Sequence, residues 1–239
     1  MTFGVTVLGT ATPHPRPDRP CSGYLLHTAA TRIWVDAGTG TLAELQRHTA
    51  LADVDAIWIS HTHADHAADL LPAYYALLFA GLPPHRPTLL GPPGLAHRLE
   101  TFLASTGPNP ADAAFDVREL HDGARFDVGD LSLRTAAVDH GVPAFGLRAA
   151  HDGRVFAYSG DTAPCPALDA LADGADLFLC EADGGGPDHC APEDAARAGR
   201  GAGGLLITHV GPGLTEAEAA ERAAAPVART GVTYPIGSS

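Results

Sequence analysis

Short apolar runs alternate along the chain with segments whose apolar residues recur at helical spacing. In the first half, runs rich in β-branched and aromatic residues predict five strands: FGVTVL, GYLLHT, TRIWVD, VDAIWIS and PTLLG. Helical spacing predicts three helices between and after them: GTLAELQRHT, HAADLLPAYYALLFAG and PGLAHRLETFLAST. The first half is therefore expected to contain a block of strands covered by helices.

The second half repeats this order. It opens with four predicted strand segments: FDVREL, ARFDVGDLSLRTAAV, FGLRAA and RVFAYSG. Helices and strands then alternate: CPALDALADG, DLFLCE, PEDAARAGRG, GLLITH and TEAEAAERAAAPVAR. Two such blocks predict an α/β fold in which two sheets pack face to face with helices outside, a four-layer αββα sandwich. The Pro- and Gly-rich joints are typical of loops, so residues 1–239 are expected to form a single domain.

Charge narrows the classes of partner. The chain carries 28 acidic and 15 basic residues, every basic residue is Arg, and the net charge is −13. Such a surface repels polyanions, so we expect a small-molecule substrate and no tRNA or DNA. No apolar run approaches the ~20 residues of a membrane helix, and the first ten residues resemble a strand more than an export signal. The expected location is therefore the cytoplasm, with no membrane partner.

The segment ISHTHADHAADLL, residues 59–71, concentrates polar side chains directly after an apolar run. Imidazole and carboxylate groups are the usual ligands of a borderline cation such as zinc. In the pattern H-x-H-x-D-H, His61 and His63 can point the same way while Asp65 and His66 face a second point. One loop is thus predicted to contribute ligands to two metal ions.

Three further ligand-type residues follow predicted strand ends. His140 comes after the strand ending AAV, Asp161 after VFAYSG, and His209 after LLIT. If these strands are neighbours, the three side chains reach the same rim as the histidine loop, where ligand sites of α/β folds tend to lie.

These motifs together resemble the metallo-β-lactamase superfamily, and within it the ribonuclease Z and phosphodiesterase-like branch. The likeness rests on SHTHADH, DHGVPAFGLR, YSGDT, CEAD, DHC and LLITHVG, and on the opening segments VLGTATP, CSGYLL and IWVDAGTGTLAEL. It runs nearly from end to end of the chain. The resemblance implies a metal-dependent hydrolase with the αββα fold.

The resemblance also implies how the ligands divide between two divalent ions. It assigns His61, His63 and His140 to the first metal, Asp65, His66 and His209 to the second, and Asp161 to a position bridging both. A hydroxide held between the ions would attack a phosphoryl or acyl centre, with Asp65 helping to orient it. Zn²⁺ is the expected metal, and Mn²⁺ or Fe²⁺ would also suit these ligands. Asp36 of the DAG turn would support the metal loop without binding metal.

Two more residues match positions that assist catalysis in the ribonuclease-Z-like branch. Glu181 in CEAD and His189 in DHC correspond to a Glu and a His that protonate the leaving group and bind phosphate. The spacing here is shorter, and Cys190 stands where a serine is usual. The alternative for His189 is a residue at a helix start with no chemical role. Arg148 in FGLR is expected to be structural.

One departure from ribonuclease Z bears on the substrate. Ribonuclease Z proper carries a long basic arm that grips transfer RNA between the positions of His140 and Asp161. Only twenty residues intervene here, GVPAFGLRAAHDGRVFAYSG, and they already contain two predicted strands and a turn. The missing arm and the acidic charge argue against tRNA processing. Dimers are frequent in this branch, so a homodimer stays an open expectation.

The leading hypothesis is a dinuclear phosphodiesterase acting on a small nucleotide-like or other phosphodiester compound. An acyl-type hydrolase for a thioester, a lactone or a β-lactam is the alternative within enzymes, because the fold hosts all of these. β-Lactam hydrolysis is disfavoured by Asp65, since several β-lactamases lack this Asp-His pair. A metal-binding protein without turnover is a third hypothesis, and the full set of seven candidate ligands disfavours it.

Overall fold

The computed structural model describes residues 3–103 and 110–237. In these residues thirteen strands form two sheets, one of seven strands and one of six, with helices against the outer face of each. This arrangement confirms the predicted α/β sandwich of four layers. None of the helices in the described ranges is long and apolar enough to cross a membrane.

The first sheet has the strand order β13-β1-β2-β3-β4-β5-β6. Strands β13, β1, β2 and β3 are antiparallel neighbours, and β3 to β6 run parallel. Their bounds are β1 Gly4–Gly9, β2 Gly23–His27, β3 Arg32–Val35, β4 Ala56–Trp58, β5 Thr88–Gly91, β6 Asp116–Glu119 and β13 Thr233–Pro235.

The second sheet has the order β12-β11-β10-β9-β8-β7. Strands β10, β11 and β12 are parallel, whereas β7, β8, β9 and β10 form an antiparallel meander. Their bounds are β7 Arg125–Val128, β8 Leu131–Val138, β9 Ala144–His151, β10 Arg154–Tyr158, β11 Leu177–Glu181 and β12 Leu205–Thr208.

Helices cover the outer face of each sheet. Those against the first sheet are α1 Thr41–Leu45, α3 Leu70–Phe79, α4 Leu95–Leu103 and α5 Pro110–Ala114, and the short α2 Ala64–Ala67 lies at its rim. Those against the second sheet are α6 Pro166–Ala172, α7 Pro192–Ala198 and α8 Glu216–Ala223.

Side-chain alternation along the strands creates three apolar layers. In β4, Trp58 faces the layer between the two sheets and Ile57 faces the helices; both are fully buried. In β11, Leu179 faces the same central layer, while Phe178 lies under the helices of the second sheet. Because both faces of these strands are covered, their sequences are mostly continuous apolar runs, and the one charged residue, Glu181, ends β11.

The segment HAADLLPAYYALLFAG, predicted as one helix, folds as α2 and α3. The amide of Asp69 donates to the carbonyl of Ala37 (2.8 Å), and the carbonyl of Asp65 accepts from the amide of Ser22 (3.1 Å). In a continuous α-helix, the amide of Asp69 would instead donate to the carbonyl of Asp65. Contacts with the neighbouring loop therefore interrupt the helix between the histidine cluster and α3.

Two other predictions differ from the structure, and one strand was not predicted. FDVREL forms β6 of the first sheet rather than the opening strand of the second, because it returns through α4 and α5 to pair in parallel with β5. The last predicted helix ends at Ala223, since Ala224 adopts a left-handed conformation (φ 48°) and Pro226 follows. Farther along the chain, Thr233–Pro235 form β13, a strand too short to be predicted from alternating apolar residues. The end of the segment PGLAHRLETFLAST lies outside the described residues.

Candidate metal centre

One rim of the sandwich collects polar side chains that follow four strands, β4, β8, β10 and β12. The histidine loop leaves β4 of the first sheet, and the other residues leave strands of the second. The structure brings all seven predicted metal ligands to this rim: His61, His63, Asp65, His66, His140, Asp161 and His209. This convergence follows from the parallel directions of β10, β11 and β12, whose carboxyl ends lie side by side.

His61, His63 and His140 form the first group. Nε2 of His61 lies 3.0 Å from Nδ1 of His63, which lies 3.2 Å from Nε2 of His140. His61 is fully buried, whereas the other two rings are more accessible. Burial and the neighbouring His66 lower the pKa of His61 well below its ordinary value, so this ring is the neutral imidazole that a metal ion requires.

Asp65, His66 and His209 form the second group. Oδ2 of Asp65 lies 3.4 Å from Nε2 of His209 and 3.9 Å from Nε2 of His66. His209 has a left-handed backbone (φ 52°) directly after β12. Such a conformation is uncommon outside glycine and is often found at functional sites.

Asp161 lies between the two groups. Its Oδ1 is 3.2 Å from Nε2 of His66, and its Oδ2 is 3.2 Å from Nε2 of His209 and 3.7 Å from Nε2 of His61. Burial favours the neutral acid, but the adjacent His209 and His66 hold the pKa of Asp161 well below its ordinary value. The carboxylate therefore carries a negative charge at the point where both groups meet.

Two buried polar atoms of this cluster indicate that it is suited to bind a metal cation. Nε2 of His66 and Oδ1 of Asp161 are buried and have no hydrogen-bond partner among the described residues, although they lie only 3.2 Å apart. Unpaired buried polar atoms cost free energy, and shared coordination of a metal ion would satisfy both. Burial opposes a charge on His66, yet Asp161 and Asp36 raise its pKa well above its ordinary value, because the surrounding carboxylates favour positive charge here.

Asp36 supports the histidine loop from below. Its Oδ1 accepts the backbone N–H of Ser60 (2.7 Å), and its Oδ2 accepts from Ser60 Oγ, His66 Nδ1 and Tyr158 Oη, each at 2.8 Å. The bond to Nδ1 fixes the His66 ring so that Nε2 faces the cluster. Asp36 thus has the supporting role expected from the DAG turn. No role was predicted for Ser60 and Tyr158, although they are the first residues of the motifs SHTHADH and YSGDT.

Two further supporting contacts also escaped the sequence analysis. The hydroxyl of Thr12 donates to Oδ2 of Asp65 (3.3 Å), and Nδ1 of His140 contacts the carbonyl of Asp188 (2.9 Å). Each joins residues far apart in the chain, and no local pattern signals such a pair.

Glu181 and His189 meet beside the cluster. Oε1 of Glu181, at the buried end of β11, accepts from Nδ1 of His189 (3.0 Å) and from the amide of Thr162 (2.9 Å), and Oε2 accepts from the amide of Asp183 (3.0 Å). The hydrogen bond to Glu181 raises the pKa of His189 to about 9. Burial raises the pKa of Glu181, while its bond to His189 opposes that shift.

The His189 ring touches both metal groups. It stacks on His209 with ring centres 5.7 Å apart and meets the edge of His140 at 5.2 Å. Its nitrogen also lies within 4.8 Å of ligand atoms of Asp161 and His209, so the position fits either a proton donor or an additional metal ligand. The side chain faces the cluster, and the two interpretations of His189, a catalytic residue or a helix-start residue with no chemical role, both stay predictions.

Arg148 has the structural position that the sequence analysis expected. Its Nη1 donates to the carbonyls of Leu171 (2.5 Å) and Asp173 (2.8 Å) at the end of α6. Between His140 and Asp161, the chain forms the β9–β10 hairpin, which turns at Asp152 and Gly153.

Comparison with known proteins gives a consistent picture. Residues 31–229 match the family model described as the beta-lactamase superfamily domain. An uncharacterised protein of Mycobacterium leprae is 37% identical over 89% of this chain and 79% of its own length. A ribonuclease Z of Mycobacterium bovis is 34% identical over 73% of this chain and 68% of its own length.

A solved structure matches the fold over nearly its whole extent. The metallo-beta-lactamase fold protein YhfI of Bacillus subtilis superposes with a TM-score of 0.85 at 22% identity, covering 98% of this chain and 100% of that one. At this identity the match shows a shared fold. It agrees with the two-sheet architecture described above.

Proposed function

Because the chain belongs to the β-lactamase superfamily and has the metallo-β-lactamase fold, we propose that it is a dinuclear metal-dependent phosphodiesterase. Its substrate would be a small nucleotide-like or other phosphodiester compound. The ribonuclease Z relative supports a hydrolase of this kind, since that name denotes cleavage of phosphodiester bonds in RNA. The paired Glu181 and His189 beside the histidine cluster are the observation that carries the proposal.

The proposed ligand sets follow the geometry of the cluster. His61, His63 and His140 would hold one ion, and Asp65, His66 and His209 the other. Asp161 would bridge them, since its two oxygens face both groups. Zinc suits these imidazole and carboxylate donors best. Two divalent ions held there would lower the pKa of a water molecule and polarise a phosphoryl oxygen of the substrate.

Asp65 has a second task in this proposal. Its carboxylate accepts the hydroxyl of Thr12 and lies beside His209, so its orientation is fixed from two sides. A carboxylate in this position can accept a hydrogen bond from the attacking water and aim its lone pair at phosphorus. Thr12 is therefore proposed as the residue that positions Asp65.

His189 would protonate the departing oxygen. The Glu181 carboxylate holds Nδ1 and raises the pKa of His189, which favours the protonated ring, and Nε2 can then deliver a proton to an alkoxide. Phosphodiesters of sugars leave as poor alkoxides that need such a proton. A dedicated proton donor beside the metal ligands therefore favours phosphodiester over activated acyl substrates.

The described stretch between His140 and Asp161 contains a hairpin and no inserted arm, and this favours a small substrate. The β9–β10 hairpin occupies the stretch where that arm would be inserted, and the net charge of −13 opposes long polyanions. A small diester needs only the metal ions and the side chains of the rim, and its single negative charge is compensated there.

A panel of chromogenic substrates tests the proposal. Zinc-reconstituted protein should hydrolyse bis(p-nitrophenyl) phosphate far faster than p-nitrophenyl acetate or nitrocefin, and a chelator should abolish the reaction. Faster metal-dependent turnover of the acetate or of nitrocefin would replace the phosphodiesterase proposal by acyl hydrolysis. Two bound zinc ions without turnover of any of the three, or of a nucleoside phosphodiester, would indicate a metal-binding protein without this activity.

A further inference from the structure

A half-open apolar groove begins beside the histidine loop and runs between α3 and α4. Thr62 and Ala64, the residues on either side of His63, form its inner end. Its walls include Leu71 of α3 and Leu95 and Leu99 of α4, and its volume is about 210 Å³. The groove therefore begins at the same loop that carries the candidate metal ligands His61 and His63.

One face of α4 supplies most of the outer wall. Leu95, Arg98, Leu99 and Phe102 follow the spacing i, i+3, i+4, i+7, which places them on one side of a helix. Leu95 and Leu99 are buried in the core beneath the first sheet, as expected of an amphipathic helix. Phe102 is different, because it lines the groove and yet is 74% exposed.

Arg98 lies on the same face, one turn before Phe102. Its Nη1 donates to Oγ1 of Thr62 (3.1 Å), the residue between the two metal-binding histidines His61 and His63. The acceptor is neutral, so this contact does not compensate the charge of the guanidinium. The positive charge of the Arg98 side chain therefore lies beside the histidine loop, at the inner end of the groove. The net charge of the whole chain, by contrast, is −13.

We propose that this groove is a subsite for a planar aromatic ring of the substrate, of the nucleobase kind, which stacks on Phe102 while Arg98 faces the adjacent phosphate. The proposal rests on the proposed phosphodiesterase function and specifies its substrate class. In this arrangement the anionic phosphate would lie at the metal ions, near Thr62 and the positive charge of Arg98. The apolar ring would lie farther along the groove, against Phe102.

The size and the wall chemistry favour a single ring system. Pockets that enclose a whole drug-sized ligand start at about 300 Å³, so the groove suits one part of a larger molecule. The exposed phenyl ring of Phe102 offers a stacking surface on the same side of α4 as Arg98, whose guanidinium lies one turn nearer the histidine loop. Such surfaces bind flat rings with little dependence on their hydrogen-bonding edges.

Equilibrium binding to the zinc-loaded full-length protein tests the subsite. The probes are thymidine 5′-monophosphate and 2-deoxyribose 5-phosphate, which differ by the base alone. The nucleotide should bind about tenfold more tightly, and Phe102→Ala should remove about five- to thirtyfold of affinity for the nucleotide only. Arg98→Gln should weaken both ligands to a similar extent, because it faces the phosphate they share.

Phe79→Ala is the matched control. Phe79 is 72% exposed, lies on the neighbouring helix α3, and is not among the residues lining the groove. This variant should bind both probes like the unmodified protein. Equal affinity of the two probes, or equal losses in Phe102→Ala and Phe79→Ala, would overturn the subsite. Hexyl phosphate serves as a third probe: a Phe102-dependent gain as large as that of the nucleotide would show a subsite for alkyl chains instead.

The subsite and the proposed function can fail separately. Base-dependent binding that requires Phe102, without hydrolysis of any phosphodiester, would support the groove and contradict the phosphodiesterase. Hydrolysis of bis(p-nitrophenyl) phosphate with no preference for thymidine 5′-monophosphate over the sugar phosphate would support the phosphodiesterase and contradict the groove.

Discussion

Tyr158 and Asp36, 122 residues apart in the chain, join the two sheets beneath the candidate metal centre. The phenolic hydroxyl at the end of β10 donates to Oδ2 of Asp36, which follows β3 of the other sheet, at 2.8 Å. The same oxygen accepts from His66 Nδ1 (2.8 Å). The packing of the sandwich and the orientation of a proposed metal ligand therefore depend on one carboxylate.

Removing the phenolic hydroxyl tests this connection. Tyr158→Phe keeps the ring and deletes one hydrogen bond to a buried carboxylate, which should lower the free energy of unfolding by about 1.5–3 kcal/mol. Urea unfolding of the metal-free protein measures the change. Tyr75→Phe, on a side chain that is 52% exposed, is the control and should unfold like the unmodified protein. Equal stability of all three proteins would mean that Asp36 does not depend on this donor.

The two ligand groups should be separable by substitution. His63→Ala removes a ligand of the first group and His209→Ala a ligand of the second. Each variant should keep about one of two zinc ions after dialysis, because the three candidate ligands of the unaltered group still surround the remaining ion. Elemental analysis of the two variants decides. Retention of two zinc ions in either variant, or loss of both ions in either variant, would contradict the division into two sites.

Asp161 should behave differently from either histidine. Because its carboxylate contacts His61 as well as His66 and His209, Asp161→Ala should weaken both sites together. Turnover should fall by at least a hundredfold, about 3 kcal/mol in the barrier. Metal content and initial rate are measured on the same preparation. A variant that retains two ions and near-normal turnover would reduce Asp161 to a turn residue after β10.

His189 should matter most when the leaving group is poor. His189→Ala should slow a nucleoside phosphodiester by ~10²–10⁴-fold, the usual range for general acid catalysis, and bis(p-nitrophenyl) phosphate much less, because p-nitrophenolate leaves without a proton. Metal content of the variant provides the control for the alternative that His189 binds metal. Equal losses on both substrates with both ions retained would indicate phosphate binding, and loss of an ion would make His189 a ligand.

Local sequence pattern was sufficient to predict the candidate ligands that directly follow a strand. The spacing of His61, His63, Asp65 and His66 after an apolar run predicted a ligand loop, and the structure places all four in one cluster with His209. The downstream residues were predictable because each follows a strand end, and parallel neighbouring strands bring such positions to one rim.

The remaining features depend on contacts between distant segments. The break between α2 and α3 arises from the bond of Asp69 to Ala37, which no helical periodicity contains. The hydrogen bond from Thr12 to Asp65 joins residues 53 positions apart in the chain. The segment FDVREL belongs to the first sheet because it pairs in parallel with β5. Sequence periodicity describes local structure, so partners chosen by tertiary packing escape it.

Metal content of the unmodified protein is the most direct measurement of the dinuclear centre. The chain is stripped with a chelator, reconstituted with excess zinc, freed of unbound ions and analysed for metal per mole of protein. Seven candidate ligand residues, with the Asp161 carboxylate between the two groups, predict about two zinc ions per chain. One ion or none after reconstitution would contradict the dinuclear centre and the mechanism built on it.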